Sequence, residues 1–130
     1  MKKSKHPKWE TVWRPLLAIM ILGCSILGHS QEPKTIKGIL VDLECLKEKK
    51  DDVQYLRTKH TTKCFQMPEC LKSGFGVLTT TDDVLIFDPA GNTMAISLLK
   101  KSRQNKPLKI KVRGRVKGWN LEVERIGLVQ

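Results

Sequence analysis

The chain has 130 residues, with 24 Lys+Arg against 13 Asp+Glu and four cysteines. That length holds one domain and excludes a multidomain protein, while a net charge of +11 suits an anionic partner or simple solubility. Cys45, Cys64 and Cys70 lie beyond the first thirty residues, and three is odd, so they cannot all pair with one another as disulfides.

Residues 1–30 read as a signal peptide. Lys2, Lys3, Lys5, Lys8 and Arg14 form a positive start, and "PLLAIMILGCSIL" (Pro15 to Leu27) is an apolar run of thirteen residues. A permanent bilayer span needs roughly 20 residues, so the run is too short to be one. Gly28 and Ser30 are the small residues that signal peptidase requires, which predicts cleavage before Gln31 and an exported, periplasmic or envelope-associated domain at 31–130. A second reading competes: "ILGC" resembles a bacterial lipobox, in which Cys24 would be lipidated and anchor the protein to a membrane. Without the leader's five basic residues and one acid, the remaining domain carries +7.

"TIKGILVDLEC" (Thr35 to Cys45) reads as the first strand, with Gly38 marking a bulge or barrel bend. From 46 to 73 the composition turns charged, and Val53, Tyr55 and Leu56 suggest an exposed helical or loop insertion. Pro68 breaks any helix that comes through Cys64. "GFGVLTTTDDVLIFD" (Gly74 to Asp88) is a hairpin turning at Asp82-Asp83. "PAGNTMAISLLKKS" follows as a short helix, with Asn92 expected as its N-cap. Met94, Ala95, Leu98 and Leu99 line its apolar face.

The end of the chain alternates strictly through Leu108, Ile110, Val112, Gly114 and Val116 and turns at Gly118-Trp119, a two-residue hairpin. The implied register pairs Val116 with Leu121, Arg115 with Glu122 and Arg113 with Glu124. Arg125 would then point inward unless a bulge near Glu124 resets the phase. Trp119 is expected to fold over the barrel end. Strand, insertion, hairpin, helix, hairpin is the order of a mainly β, five-stranded OB-fold-like Greek-key barrel, with its helix between strands three and four. "GILVDLEC", "KSGFGVL" and "VRGRVKGWNLEVERI", together with the His/Cys/Cys segment between them, resemble a family of small exported bacterial proteins with an OB-like domain. The resemblance spans most of residues 35–128; it implies fold and export and names no activity.

Cys45, His60, Cys64 and Cys70 are the chemically distinctive set. Thiolate and imidazole are soft or borderline donors, and four of them suit Zn or Cu. A thioether from Met67 is a further option for copper. The spacing contains no CxxC and fits no zinc-finger pattern. In an oxidising compartment a disulfide staple competes with the metal, and His60 would then be an ordinary surface residue. The two states together would make a redox-dependent switch. A third reading is a small thiol-based redox protein or enzyme with Cys64 as nucleophile, His60 as base and Asp42 as the orienting group. The binding reading is favoured, because nothing else in the chain forms a reaction site.

Residues 100–117 hold nine Lys and Arg and no acid. Lys109, Lys111 and Lys117 are expected to carry salt-sensitive attraction to a polyanion, because Arg113 and Arg115 face cross-strand glutamates. Anionic envelope lipid or glycan, or a protein, are the expected partners. Nucleic acid is disfavoured by the leader and by the scarcity of aromatics for stacking.

Overall fold

The computed structural model describes residues 31–129. The leader, with Cys24 and the cleavage site, lies outside the described residues. Five strands, β1 (Lys34–Asp42), β2 (Phe75–Thr79), β3 (Val84–Phe87), β4 (Lys109–Lys117) and β5 (Asn120–Leu128), form one mixed sheet. The sheet closes into a ring in the order β1-β2-β3-β5-β4, in which only the short β3–β5 pairing is parallel.

β1 closes the ring because it serves two neighbours. Lys34 to Ile39 pair with β4, and Gly38 to Asp42 pair with β2. At the changeover a Cβ on Gly38 would lie 2.1 Å from the Leu78 carbonyl oxygen. Only glycine permits so close an approach of two backbones. The core inside the ring is apolar: Leu40, Phe75, Val77, Ile110, Val112 and Leu121 are buried.

The β4–β5 hairpin turns at Gly118, whose φ of 61° suits glycine. Val116 pairs with Leu121 and Arg115 with Glu122, as the alternation requires. The register shifts after that: Gly114 faces Val123 while Arg113 faces Arg125, so Glu124 is the extra residue of a bulge. The bulge leaves Arg125 exposed and brings Ile126 against the core. Glu124 receives both arginines, at 2.7 Å from Arg115 and 3.4 Å from Arg113. Three expectations fail here. Arg113 is not directly opposite Glu124. Lys117 does not lack an acid, because it pairs with Glu122. Trp119 is 66 % exposed at the hairpin tip and does not cover the barrel end.

Helix α4 (Pro89–Lys101) lies between β3 and β4 in the chain. Its N-cap is Asp88, not Asn92, with Pro89 at the first helical turn. Asp88 Oδ1 accepts from Gly91 N at 2.9 Å and from Val123 N at 3.1 Å, so the cap also fastens the helix to β5. Asn92 instead accepts the Phe75 N–H at 2.9 Å, at the start of β2.

Candidate metal centre

The first strand ends three residues earlier than its β-propensity suggests. Asp42 is extended (φ −91°, ψ 153°), and its Oδ1 accepts the Cys45 N–H at 2.8 Å. That is an N-cap, and it converts "LECLKE" into helix α1 (Leu43–Glu48). Cys45 therefore sits in the first turn of a helix, not at the end of a strand. The chain then makes α2 (Val53–Thr58), a 3-10 turn (Cys64–Gln66) and α3 (Pro68–Ser73). Asp52 caps α2, and Pro68 opens α3. Pro68 thus starts one helix as well as barring another.

These short elements are tied end to end. Leu43 N donates to the Gly74 carbonyl at 3.0 Å, and Ser73 Oγ accepts from Glu44 N and donates to the Cys70 carbonyl. The start of α1 and the end of α3 are thereby fixed together. Across the insertion, Arg57 reaches the β2–β3 turn and binds Asp82 and the Thr79 carbonyl.

His60 follows α2 and is fully buried. It is not on a helix with Cys64, so the i, i+4 helical face does not exist; the turn at Thr61–Cys64 brings the two together. Nor is it a surface histidine. Its ring stands edge-on to Phe65, with centroids 4.6 Å apart. Its Nε2 lies 2.7 Å from Asp42 Oδ2, and Asp42 is itself fully buried. His60 Nδ1 is buried and has no protein partner.

The donor atoms converge in two overlapping groups. One holds Cys45, His60 and Cys64; the other holds Asp42, Cys45 and Cys70; in each, the ligand atoms lie within 4.8 Å of one another. All four residues singled out by spacing are therefore in one place, with Asp42 added. Cys70 approaches through Cys45 and Asp42 and does not complete the first group. All three cysteines are free thiols, so no disulfide staples the insertion in this structure. Met67 is 48 % exposed.

The electrostatics of the site follow from burial. The Cys45 thiol is pushed well above the ordinary thiol range by burial and then by the Asp42 carboxylate. Cys70 is pushed up to about 11 by the same two causes. Burial alone would also raise the Asp42 carboxyl. The His60 hydrogen bond, the Cys45 N–H and the field of His60 outweigh it and hold the carboxyl below its ordinary value. Asp42 Oδ2 is thus an acceptor for His60 Nε2. In the tautomer that donates this bond, the lone pair is left on Nδ1, which has no protein partner.

From the sequence, Asp42 is expected only as the orienting group of a thiol enzyme, not as a partner of the cluster. The available signal was "DLEC", an N-cap residue three positions before a cysteine. Among the described residues no helix is long and apolar enough to cross a membrane. No protein-family model, curated protein or solved structure matches the chain, so the functional argument rests on these residues and their geometry.

Proposed function

We propose that this is an exported, OB-fold-like binding domain of the bacterial cell envelope whose insertion holds a soft or borderline metal ion, Zn(II) or Cu(I). Cys45, His60 and Cys64 are the primary ligands, and Cys70 stands beside Cys45 as the fourth. The OB assignment rests on the element order and on the way β1 is shared between β2 and β4. The envelope assignment rests on the leader.

The observation that carries the metal reading is the orphaned, buried Nδ1 of His60, whose other nitrogen is held by a buried carboxylate. A buried imidazole nitrogen without a partner costs about 1–3 kcal/mol. Metal-bound histidines characteristically turn the far nitrogen to a carboxylate, which fixes the tautomer and raises the basicity of the ligand. Asp42 plays that part here. Binding would also convert neutral thiols to thiolates and release protons, so affinity rises with pH.

One observation favours a second reading. Asp42, His60 and Cys64 are also the order of an orienting acid, a base and a thiol nucleophile. His60 is shut away from solvent, however, and Cys45 crowds the same space, which suits a closed ligand shell better than a substrate cleft.

The test is anaerobic titration of the reduced protein with Zn(II) and with Cu(I) against chromophoric chelators, with thiol counting before and after. One ion bound per chain, with proton release and protection of the thiols, is expected. Three reactive thiols and no ion bound would overturn the metal reading. Rapid alkylation of Cys64 that is lost in His60→Ala would put the enzyme reading in its place.

A further inference from the structure

A groove of about 470 Å³ runs between the insertion and the C-terminal half of α4. That volume falls within the roughly 300–1,000 Å³ of small-molecule sites. Its two walls are joined, because Thr62 Oγ1 donates to the Gln104 carbonyl at 2.6 Å and ties the loop after α4 to the insertion.

The chemistry of the lining is directional. Phe65, Leu71, Ile96 and Leu99 give an apolar floor, and Lys63, Lys100 and Arg103 are the charged residues that line it, with no acid among the lining side chains. On α4, Ile96, Leu99 and Lys100 stand at i, i+3 and i+4, one stripe of the helix, and Arg103 follows the C-cap Ser102. Rising 1.5 Å per residue, the stripe passes from apolar to cationic toward the C-terminus. Ser102, between the two cations of that end, has an Oγ with no protein partner. The helix C-terminus itself repels an anion with about half a charge, and three full cations outweigh it.

A second basic trough, around Arg57, Lys106 and Lys109, is larger at about 750 Å³. It too has apolar lining, in Pro107, Leu108, Leu128 and Val129, but Arg57 is already committed there to Asp82 and the Thr79 carbonyl. That leaves two lining cations, Lys106 and Lys109, against the three of the α4 groove.

We infer that the α4 groove binds a small single-chain amphiphile with an anionic head. Its apolar chain lies on Phe65, Leu71, Ile96 and Leu99, and Lys63, Lys100 and Arg103 hold the head. A cationic or neutral amphiphile of the same length loses the head-group contacts, and a bare anion loses the floor. The groove uses none of the proposed metal ligands, and its occupancy does not require the ion.

The experiment is calorimetric titration of the reduced, metal-free full chain with decanoate, with decanol and decyltrimethylammonium as controls. Decanoate is expected to bind in equimolar amount, and decanol at least about tenfold more weakly, a loss of about 1.4 kcal/mol. Charge reversal at Lys100→Glu with Arg103→Glu should weaken decanoate about tenfold or more, and Ile96→Asp should abolish it. Circular dichroism should show each variant folded, because Lys100 and Arg103 are exposed and Ile96 is only partly buried. Lys109→Glu and Cys45→Ser should leave the affinity unchanged, the latter whether or not a metal site exists. Equal binding of the three amphiphiles, or decanoate binding indifferent to the α4 substitutions, overturns the inference. So does binding only to phosphatidylglycerol vesicles with none to free decanoate, which would make the face a membrane contact.

Discussion

The barrel and the insertion solve the same problem with different chemistry. The barrel buries side chains delivered by alternation: Ile110, Val112, Leu121 and Val123 all point into one apolar core. The insertion has four short elements of three to six residues each, and little apolar surface. Its core is Cys45, Leu56 and Cys70 against the outer face of β1 and β2, with a buried carboxylate and a buried imidazole alongside. Apolar packing tolerates imprecision, because it is non-directional. A buried polar cluster does not, because every donor and acceptor needs a partner. The barrel therefore specifies the fold, and the insertion specifies the chemistry.

The largest effect should come from the barrel. Ile110 is fully buried and faces Gly38 across the β1–β4 pairing. Ile110→Ala removes atoms that neither glycine nor a neighbouring strand can replace, at a cost of about 2–5 kcal/mol. A domain of this size has on the order of 5–15 kcal/mol in total, so chemical denaturation should show a much lower midpoint. The affinity of the folded protein for Zn(II) should not change. A variant that keeps wild-type stability would mean that the ring is not the load-carrying part.

Asp42→Asn tests the insertion, with a smaller effect on stability and a larger one on binding. Asp42 receives two donors on two oxygens, Cys45 N on Oδ1 and His60 Nε2 on Oδ2. Asparagine has one acceptor oxygen, so its amide N–H₂ must confront the second donor. The expected loss is about 1–3 kcal/mol. If the histidine adapts by accepting at Nε2, its proton moves to Nδ1 and blocks the ligand position. Metal affinity should fall about 10–100-fold. The acid limb carries a sign. The folded Asp42 carboxyl is held below 3.8, its ordinary value, so its contribution is complete above that pH and is lost as pH falls through the folded value. The stability gap between wild type and Asp42→Asn should be constant at neutral pH and shrink below 3.8. A gap that widens in acid would show that the carboxylate is not stabilised in the fold.

The same contrast decides what could be read from residues alone. Period-two alternation is a local property, so β4 and β5 were legible, and so was the bulge: Arg125 breaks the pattern and only an extra residue at Glu124 restores it. The convergence of Cys45, His60, Cys64 and Cys70 was legible because one insertion joins them. The end of β1 was not. In "ILVDLEC" an apolar residue, Leu43, follows Asp42 at once, and only the cap geometry reveals the helix. The burial of His60, which the disulfide reading would put on the surface, was not legible either, because its partner Asp42 lies 18 residues away. Polar partners chosen across tertiary distance leave no periodic trace.

The smallest effect belongs to the barrel's outer face, where charge sits on top of the fold without supporting it. Lys109 and Lys111 are exposed and have no acidic partner among the ion pairs of the described residues. Lys117 is exposed too, but Glu122 holds it, so its cation is compensated locally. Replacing Lys109 and Lys111 with glutamine removes two free charges and should lower the salt needed to elute the protein from heparin resin. Replacing Lys117 and Glu122 together with glutamine removes a neutral pair, and elution should not shift. Exposed pairs contribute about 0–1 kcal/mol, so both doubles should unfold near the wild-type midpoint, whether or not metal is present. Attraction beyond a Debye length of about 8–10 Å is screened, so the contrast rests on local compensation and not on net charge alone. If deleting the Lys117–Glu122 pair weakens retention as much as deleting Lys109 and Lys111, the lysine beside the hairpin tip is a true contact. The neighbouring exposed Trp119 then becomes part of the polyanion surface.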